Sequence, residues 1–230
     1  MRFSSARTVQ KPSYTLHGEA VTVTDCVTIL GVQYVRTLDF HAHVASVVAK
    51  SRRTLGFVTR VTKQCDPHAF RLLYTSLVLP LLEYCSAVWS PPQQHLVARI
   101  ESVQRRASHT LVSRSTGPAA RLHYEERLVV AKWRQLAYRR DIGRVRLLCR
   151  VFDGSLSGTF LSSQVRVSNR TGQPQLMRAR TARHSTSLVP AAVRGFLSLP
   201  ASQRKPLPRG REESLELCRS YARLLLSSAP

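Results

Sequence analysis

Acidic residues are scarce in this sequence. It has 13 Asp and Glu against 35 Lys and Arg in 230 residues, a formal net charge of +22. Phosphoryl transfer assisted by metal ions needs carboxylates that hold divalent cations, and the sequence has no Asp-Asp dipeptide of the polymerase type. We therefore expect that this chain is not a polymerase by itself. Its excess of positive charge predicts a polyanionic partner such as nucleic acid.

Long apolar runs are also lacking. None approaches the about 18 residues of a membrane-spanning helix, and the opening MRFSSARTV has no hydrophobic centre of a secretory signal. We expect an intracellular protein with no membrane partner. The Arg- and Ser-containing start weakly resembles a transit peptide, so a mitochondrial location is the lesser alternative. The five scattered cysteines are expected to be reduced, mostly buried thiols.

Motifs for catalysis are missing. The sequence contains no GxxxxGK[ST], HExxH, GxSxG or CxxC pattern. His41 and His43 form an HxH pair, which on a helix points the two rings to different sides. Because tetrahedral zinc needs further converging ligands, we interpret these histidines as packing residues. The sequence predicts no catalytic residue, no cofactor site and no metal site.

Two extended segments open the chain. The run Tyr14 to Leu16, then Gly18-Glu19, then Ala20 to Val23 predicts a hairpin, because β-favouring residues flank a glycine-containing turn. Val27 to Val35 predicts a further strand. Gly31 inside it indicates a bulge or a close approach of backbone.

The stretch Phe70 to Pro92 predicts a core helix. It follows an Asp66-Pro67 helix start, and Pro80 inside it predicts a kink or two helices in series. Apolar residues spaced by three and four predict one buried face, formed by Phe70, Leu73, Leu77, Leu81, Tyr84 and Val88.

Helices with basic faces flank this stretch. The first begins near Asp39 and predicts a buried face with Phe40, Val44, Val47, Val48, Leu55 and Val58. Its opposite face carries Lys50, Arg53, Arg60 and Lys63, with Arg52 at the border. A later helix capped by Ser90 has an apolar line of Leu96, Ile100, Val103, Ala107 and Leu111, with Arg99, Arg105 and Arg106 off that line. Such faces either bind phosphate or are merely solvated.

The remainder of the chain is less regular. Helical sequence with a break is predicted from near Tyr124 to Phe152, and Ser155 to about Arg211 is predicted to be loosely ordered. A last helix is possible over Glu212 to Leu226. The predicted fold is mainly α, a helical bundle preceded by a small antiparallel β hairpin and followed by a basic tail, with divisions at 1–36, 37–154 and 155–230.

The order of these segments resembles the C-terminal part of reverse transcriptases from non-LTR (LINE-type) retrotransposons of animals. The resemblance rests on YTLHGEAVTVTDCVTILGV, LDFHAHVASVVAKSRRTLGFVTR, LLYTSLVLPLLEYCSAVWSP and IESVQRRA, followed by spaced YEERL and YRRDI segments. These cover about two thirds of the chain in collinear order. The pairing of LEYCSAVWSP with IESVQRR is the most specific part.

The resemblance implies which part of the enzyme each segment would form. Residues 1–36 would be the end of the palm, and 37–154 the helical thumb and post-thumb region on a template-primer duplex. It implies that Leu30 and Gly31 are primer-grip residues, although Ile29 replaces the aromatic usual in the family. The implied nucleic-acid contacts are Lys50, Arg52, Arg53, Arg60, Lys63, Arg99, Arg105 and Arg106.

The family's catalytic Ala-Asp-Asp motif would lie upstream of Met1, with the fingers and most of the palm. The resemblance thus implies a truncated RNA-directed DNA polymerase fragment that binds template-primer without copying it, in the nucleus. Mg²⁺ would belong to the intact enzyme only. Two alternatives stay open: a basic structural RNA-binding protein of the ribosomal or mitochondrial-ribosomal type, which would be basic throughout, unlike Leu72 to Trp89, and a decayed gene product without function.

Overall fold

A computed structural model describes residues 14–116, 122–152, 165–168, 170–171, 173–176 and 187–197. The described part is mainly helical with small antiparallel strand pairs, which confirms the predicted fold class. Its contacts divide the chain into two compact units that alternate along the sequence. The first unit comprises Met1–Cys85 and Gln93–Arg127, and the second comprises Ser86–Pro92 and Leu128–Pro230.

Two short hairpins open the first unit. Strands β1 (Thr15–Leu16) and β2 (Glu19–Ala20) pair antiparallel, as predicted. Strands β3 (Cys26–Ile29) and β4 (Val32–Val35) form a second antiparallel pair in which Ile29 lies opposite Val32. The second hairpin therefore turns on two residues only, Leu30 and Gly31.

The prediction of one continuous strand over Val27 to Val35 is wrong, and Gly31 is a turn residue, not a bulge. Leu30 and Gly31 have φ of 48° and 78°, the pair of positive values that a type I′ turn requires. Such turns are usually signalled by Asn-Gly or Asp-Gly, and Leu-Gly gives no such signal. A Cβ on Gly31 would lie 3.7 Å from the Tyr84 ring, an ordinary contact. Glycine is therefore favoured at this position by its positive φ, and not because a side chain would lack space.

Helix α1 (His41–Val61) buries four of the six residues of its predicted face, Val44, Val48, Leu55 and Val58. The other two, Phe40 and Val47, are half-buried. The helix also buries His43, whose pKa is lowered by burial. The Nδ1 atom of His43 lies 3.3 Å from the Gln33 backbone N–H, which donates to it. This bond helps to hold strand β4 against α1, so the second hairpin is fixed to the helical part of the first unit.

The stretch after α1 forms helices in series, as Pro80 predicted. They are α2 (Pro67–Leu73), a π-helix (Tyr74–Val78), α3 (Leu79–Glu83) and α4 (Ser86–Trp89). The Asp66 carboxylate accepts a hydrogen bond from the His68 N–H at 3.1 Å, which confirms the predicted start. Proline has no N–H and crowds the carbonyl four residues earlier. The Leu79 N–H donates to the Tyr74 carbonyl, which is the i→i+5 bond of a π-helix. Pro80 is the next residue.

The buried face of this stretch differs from the predicted one. Leu77, Tyr84 and Val88 were expected inside but are 42%, 56% and 47% exposed. Phe70 is buried as predicted, Leu73 and Leu81 are half-buried, and the other large buried residues are Tyr74, Val78, Leu82 and Trp89. A π-helical turn holds an additional residue, so steps of four stay on one face there. The stretch also changes units after Cys85, which has a φ of 51°.

Helix α5 (Gln94–Thr116) buries all five residues of its predicted apolar line. Ser90 does not cap it, because the helix begins only at Gln94. Helices α1 and α5 run in the same direction: His41 meets His95, Arg52 meets Ser102, and Thr62 meets Arg114. The two basic helices are therefore neighbours along their whole length.

The described helices that follow are α6 (Tyr124–Ala131), α7 (Leu136–Phe152) and α8 (Leu188–Leu197). Lys132, with a φ of 52°, marks the predicted break. A short strand pair, β5 (Arg166–Val167) and β6 (Pro174–Gln175), lies between α7 and α8 in sequence.

In the second unit α7 packs against α4 and α8 and helps to enclose an apolar cluster. Helix α8 lies inside the segment predicted to be loosely ordered, so that prediction is wrong for residues 188–197. The predicted helix over Glu212 to Leu226 lies outside the described residues. Of the four described cysteines Cys149 alone is buried, so the expectation of mostly buried thiols is wrong for these four. No helix in the described ranges is long and apolar enough to cross a membrane.

Candidate nucleic-acid interface

The predicted nucleic-acid contacts are exposed on the first unit. They comprise Lys50, Arg52, Arg53 and Arg60 on α1, Lys63 just after it, and Arg99, Arg105 and Arg106 on α5. On α1 the basic side chains lie opposite the buried residues because both sets follow the helical period. The buried face fixes the helix, and the other face presents cations to solvent.

The line of contact between α1 and α5, here called the seam, includes a polar chain near its middle. Arg52 Nη2 donates to Ser102 Oγ at 2.9 Å, and Ser102 Oγ donates to the Arg99 carbonyl at 2.7 Å. Arg52 therefore lies against α5, close to the backbone of Arg99. The structure brings these two predicted contacts together across the seam.

Arg105 belongs to a different part of the surface. Its guanidinium lies 4.9 Å from the centre of the Tyr124 ring. Burial and a hydrogen bond to Glu101 raise the pKa of Tyr124, so its hydroxyl stays protonated and donates to that carboxylate. Consecutive helical residues point about 100° apart, so Arg106 does not share this position. We therefore separate Arg105 from the group formed around the seam.

Arg114 is a residue that the sequence did not single out. Its Nη1 donates to the Thr62 carbonyl at 3.0 Å and its Nη2 to the Thr59 carbonyl at 2.9 Å. The guanidinium also lies 5.0 Å from the centre of the Phe70 ring. It thereby satisfies carbonyls at the end of α1, where a cation is favoured by the helix dipole. Its partners are distant in sequence, and no local pattern marks them.

The predicted primer-grip residues form the tip of the second hairpin. Leu30 is 82% exposed, and its carbonyl accepts a hydrogen bond from the Tyr84 hydroxyl at 3.0 Å. A hydrogen bond with the neighbouring Cys85 side chain raises the pKa of Tyr84. Tyr84 was predicted to lie in the core. In the structure Tyr84 is exposed, and its hydrogen bond to Leu30 holds the turn in place.

Among the described residues, no group of three or more His, Cys, Asp or Glu side chains is placed to hold a metal ion. The candidate interface consists of the exposed basic side chains and the turn at Leu30 and Gly31. Comparison with protein-family models, with curated proteins and with solved structures finds no match for this chain.

Proposed function

We propose that this chain is the C-terminal part of a non-LTR retrotransposon reverse transcriptase and binds template-primer duplex without polymerising it. The observation that carries the proposal is the pair of parallel helices α1 and α5, which bury their apolar faces and expose their basic ones. The order of motifs in the sequence supports the family. The exposed charge supports the ligand.

Spacing on α1 suits a nucleic-acid backbone. Arg53 and Arg60 are separated by two helical turns, a rise of roughly 10 Å. That rise spans roughly three phosphates of one B-DNA strand. Contacts of this kind position a duplex without reading its sequence. The expected binding is therefore strong at low salt and indifferent to base sequence.

The turn at Leu30 and Gly31 supports a second part of the proposal, a primer-grip role. An exposed apolar tip whose carbonyl is held by Tyr84 can meet the end of a strand in a fixed position. Polymerisation would require the Ala-Asp-Asp motif, which this sequence does not contain. Mg²⁺, the fingers and the rest of the palm would belong to the intact enzyme. The expected location is the nucleus.

Binding of a labelled primer-template to the full chain, measured across a salt series, tests this proposal. We expect the logarithm of the binding constant to fall linearly with the logarithm of salt concentration. The triple variant Arg52→Ala, Arg53→Ala and Arg60→Ala should flatten that slope by up to about 2.7, since each phosphate contact contributes about 0.9.

A matched control removes three exposed arginines from the second unit, Arg146, Arg166 and Arg170, and so lowers the net charge equally. It should keep the wild-type slope. Equal flattening in both variants would show binding through general charge and would contradict an α1 site. Preference for folded or single-stranded RNA over primer-template would favour the structural RNA-binding alternative.

A further inference from the structure

Three polar side chains meet where α1 and α5 begin. Asp39 Oδ1 lies 2.5 Å from His41 Nδ1, and His41 Nε2 lies 3.0 Å from His95 Nε2. Asp39 Oδ1 also accepts from the His41 backbone N–H at 3.0 Å. His41 and His95 are both exposed, so the space around the two Nε2 atoms is reachable from solvent.

The contact with Asp39 determines which nitrogen of His41 is open to a ligand. A carboxylate at Nδ1 holds the proton there, because it can only accept. The lone pair of His41 then lies on Nε2, the atom that faces His95. A carboxylate behind a histidine in this way is the usual support of a metal-binding imidazole, since it fixes the tautomer and the orientation of the ring.

The distance between the two Nε2 atoms is close to the distance between two nitrogen atoms that bind the same metal ion. Zinc-to-imidazole bonds are about 2.0 to 2.1 Å, and two such nitrogens in a tetrahedral site lie roughly 3.3 Å apart. The observed 3.0 Å needs an opening of only a few tenths of an ångström. Two exposed rings at helix starts can make that adjustment by rotating about their side-chain bonds.

We propose that His41 and His95 bind one divalent transition-metal ion of the Zn²⁺ class through their Nε2 atoms, with Asp39 orienting His41 and water completing the coordination. Imidazole favours zinc, copper and nickel over magnesium and calcium. No converging ligand for His41 was predicted from the sequence, and His95 supplies one from α5. His43 takes no part, because its Nδ1 accepts from the Gln33 backbone.

A bound ion would join the first turns of the two helices that carry the basic side chains. The opposite ends are already joined by Arg114 and Thr62. The site does not depend on the proposed function, because it requires neither a nucleic acid nor a polymerase. Its competing explanation is a simple hydrogen bond between the two imidazoles.

The test uses the full chain carrying Cys26→Ser and Cys65→Ser, which removes two exposed thiols of a kind that can compete for zinc. Calorimetric titration with Zn²⁺ should show one site per chain, and Mg²⁺ should show none. His41→Ala and His95→Ala should each weaken Zn²⁺ binding at least tenfold, and Asp39→Asn should weaken it tenfold to a hundredfold. His109→Ala, which alters another exposed histidine of α5, should bind as the parent does.

A second measurement needs no histidine variant. Diethyl pyrocarbonate labelling followed by mass spectrometry should show that Zn²⁺ protects His41 and His95 while His109 stays reactive. Zinc binding that is unchanged in both His41→Ala and His95→Ala, or labelling of these two residues that zinc does not slow, would overturn the proposal and leave the hydrogen-bonded pair.

Discussion

Helices α1 and α7 are both rich in arginine, yet they use it differently. On α1 the basic side chains are exposed opposite an apolar buried face. On α7, Arg140 is only 2% exposed, and Arg144 Nη1 lies 2.9 Å from Asp141 Oδ1. Burial lowers the pKa of Arg144, and Asp141 opposes that shift. The number of arginines in a helix therefore does not identify a binding surface; their burial and partners do.

The physical basis of the difference is the arginine side chain itself. Its aliphatic stem can cover apolar surface while its head remains polar. On α7 the buried residues include Arg140, whereas the buried residues of α1 include no arginine. We therefore expect arginine substitutions in α7 to affect folding and those in α1 to affect binding.

The largest effect should come from Arg140→Ala. Truncating a nearly buried side chain removes its packing and polar contacts, and we expect a loss of about 2 to 3 kcal/mol in the free energy of unfolding. Urea denaturation followed by circular dichroism measures it. Arg140→Met, which keeps the apolar stem, should recover part of the loss, and Arg146→Ala on the exposed side should lose little. A stable Arg140→Ala would remove the distinction between the two helices.

A smaller loss is expected for Arg114→Ala, which tests a structural arginine in the same unit as α1. The variant loses charged hydrogen bonds to the carbonyls of Thr59 and Thr62, at an expected cost of about 2 kcal/mol. Thermal unfolding would show it. Hydrogen exchange should also speed up in the last turn of α1. If exchange there is unchanged, Arg114 does not hold that end.

The smallest change in stability is expected for Arg53→Ala and Arg60→Ala. Both side chains are exposed, so the unfolding midpoint in urea should match that of the wild type. Affinity for a duplex should nevertheless fall at low salt. A variant that lost stability instead of affinity would place α1 in the same class as α7.

The parts of the fold predictable from sequence are those governed by one period. The buried faces of α1 and α5 follow the helical repeat through Val44 to Val58 and Leu96 to Leu111, and the structure confirms them. The exposed basic residues follow from the same repeat. What they bind stays a prediction.

The parts that could not be predicted depend on a change of period or on distant partners. Pro80 indicated an interruption, but not that a π-helix would keep Tyr74 and Val78 on one face. Helix α8 could not be predicted because its short apolar run lies within a polar segment. The contact of His41 with His95 joins residues far apart in sequence, and no local pattern encodes it.

The alternation of the two units along the chain bears on the order of synthesis. Ser86–Pro92 belongs with Leu128–Pro230, although the first unit is not complete until Arg127 has been made. Trp89, fully buried in the finished protein, therefore leaves the ribosome before helix α7, against which α4 packs. A nascent chain arrested after the first unit would expose this indole, which is the kind of surface that chaperones bind.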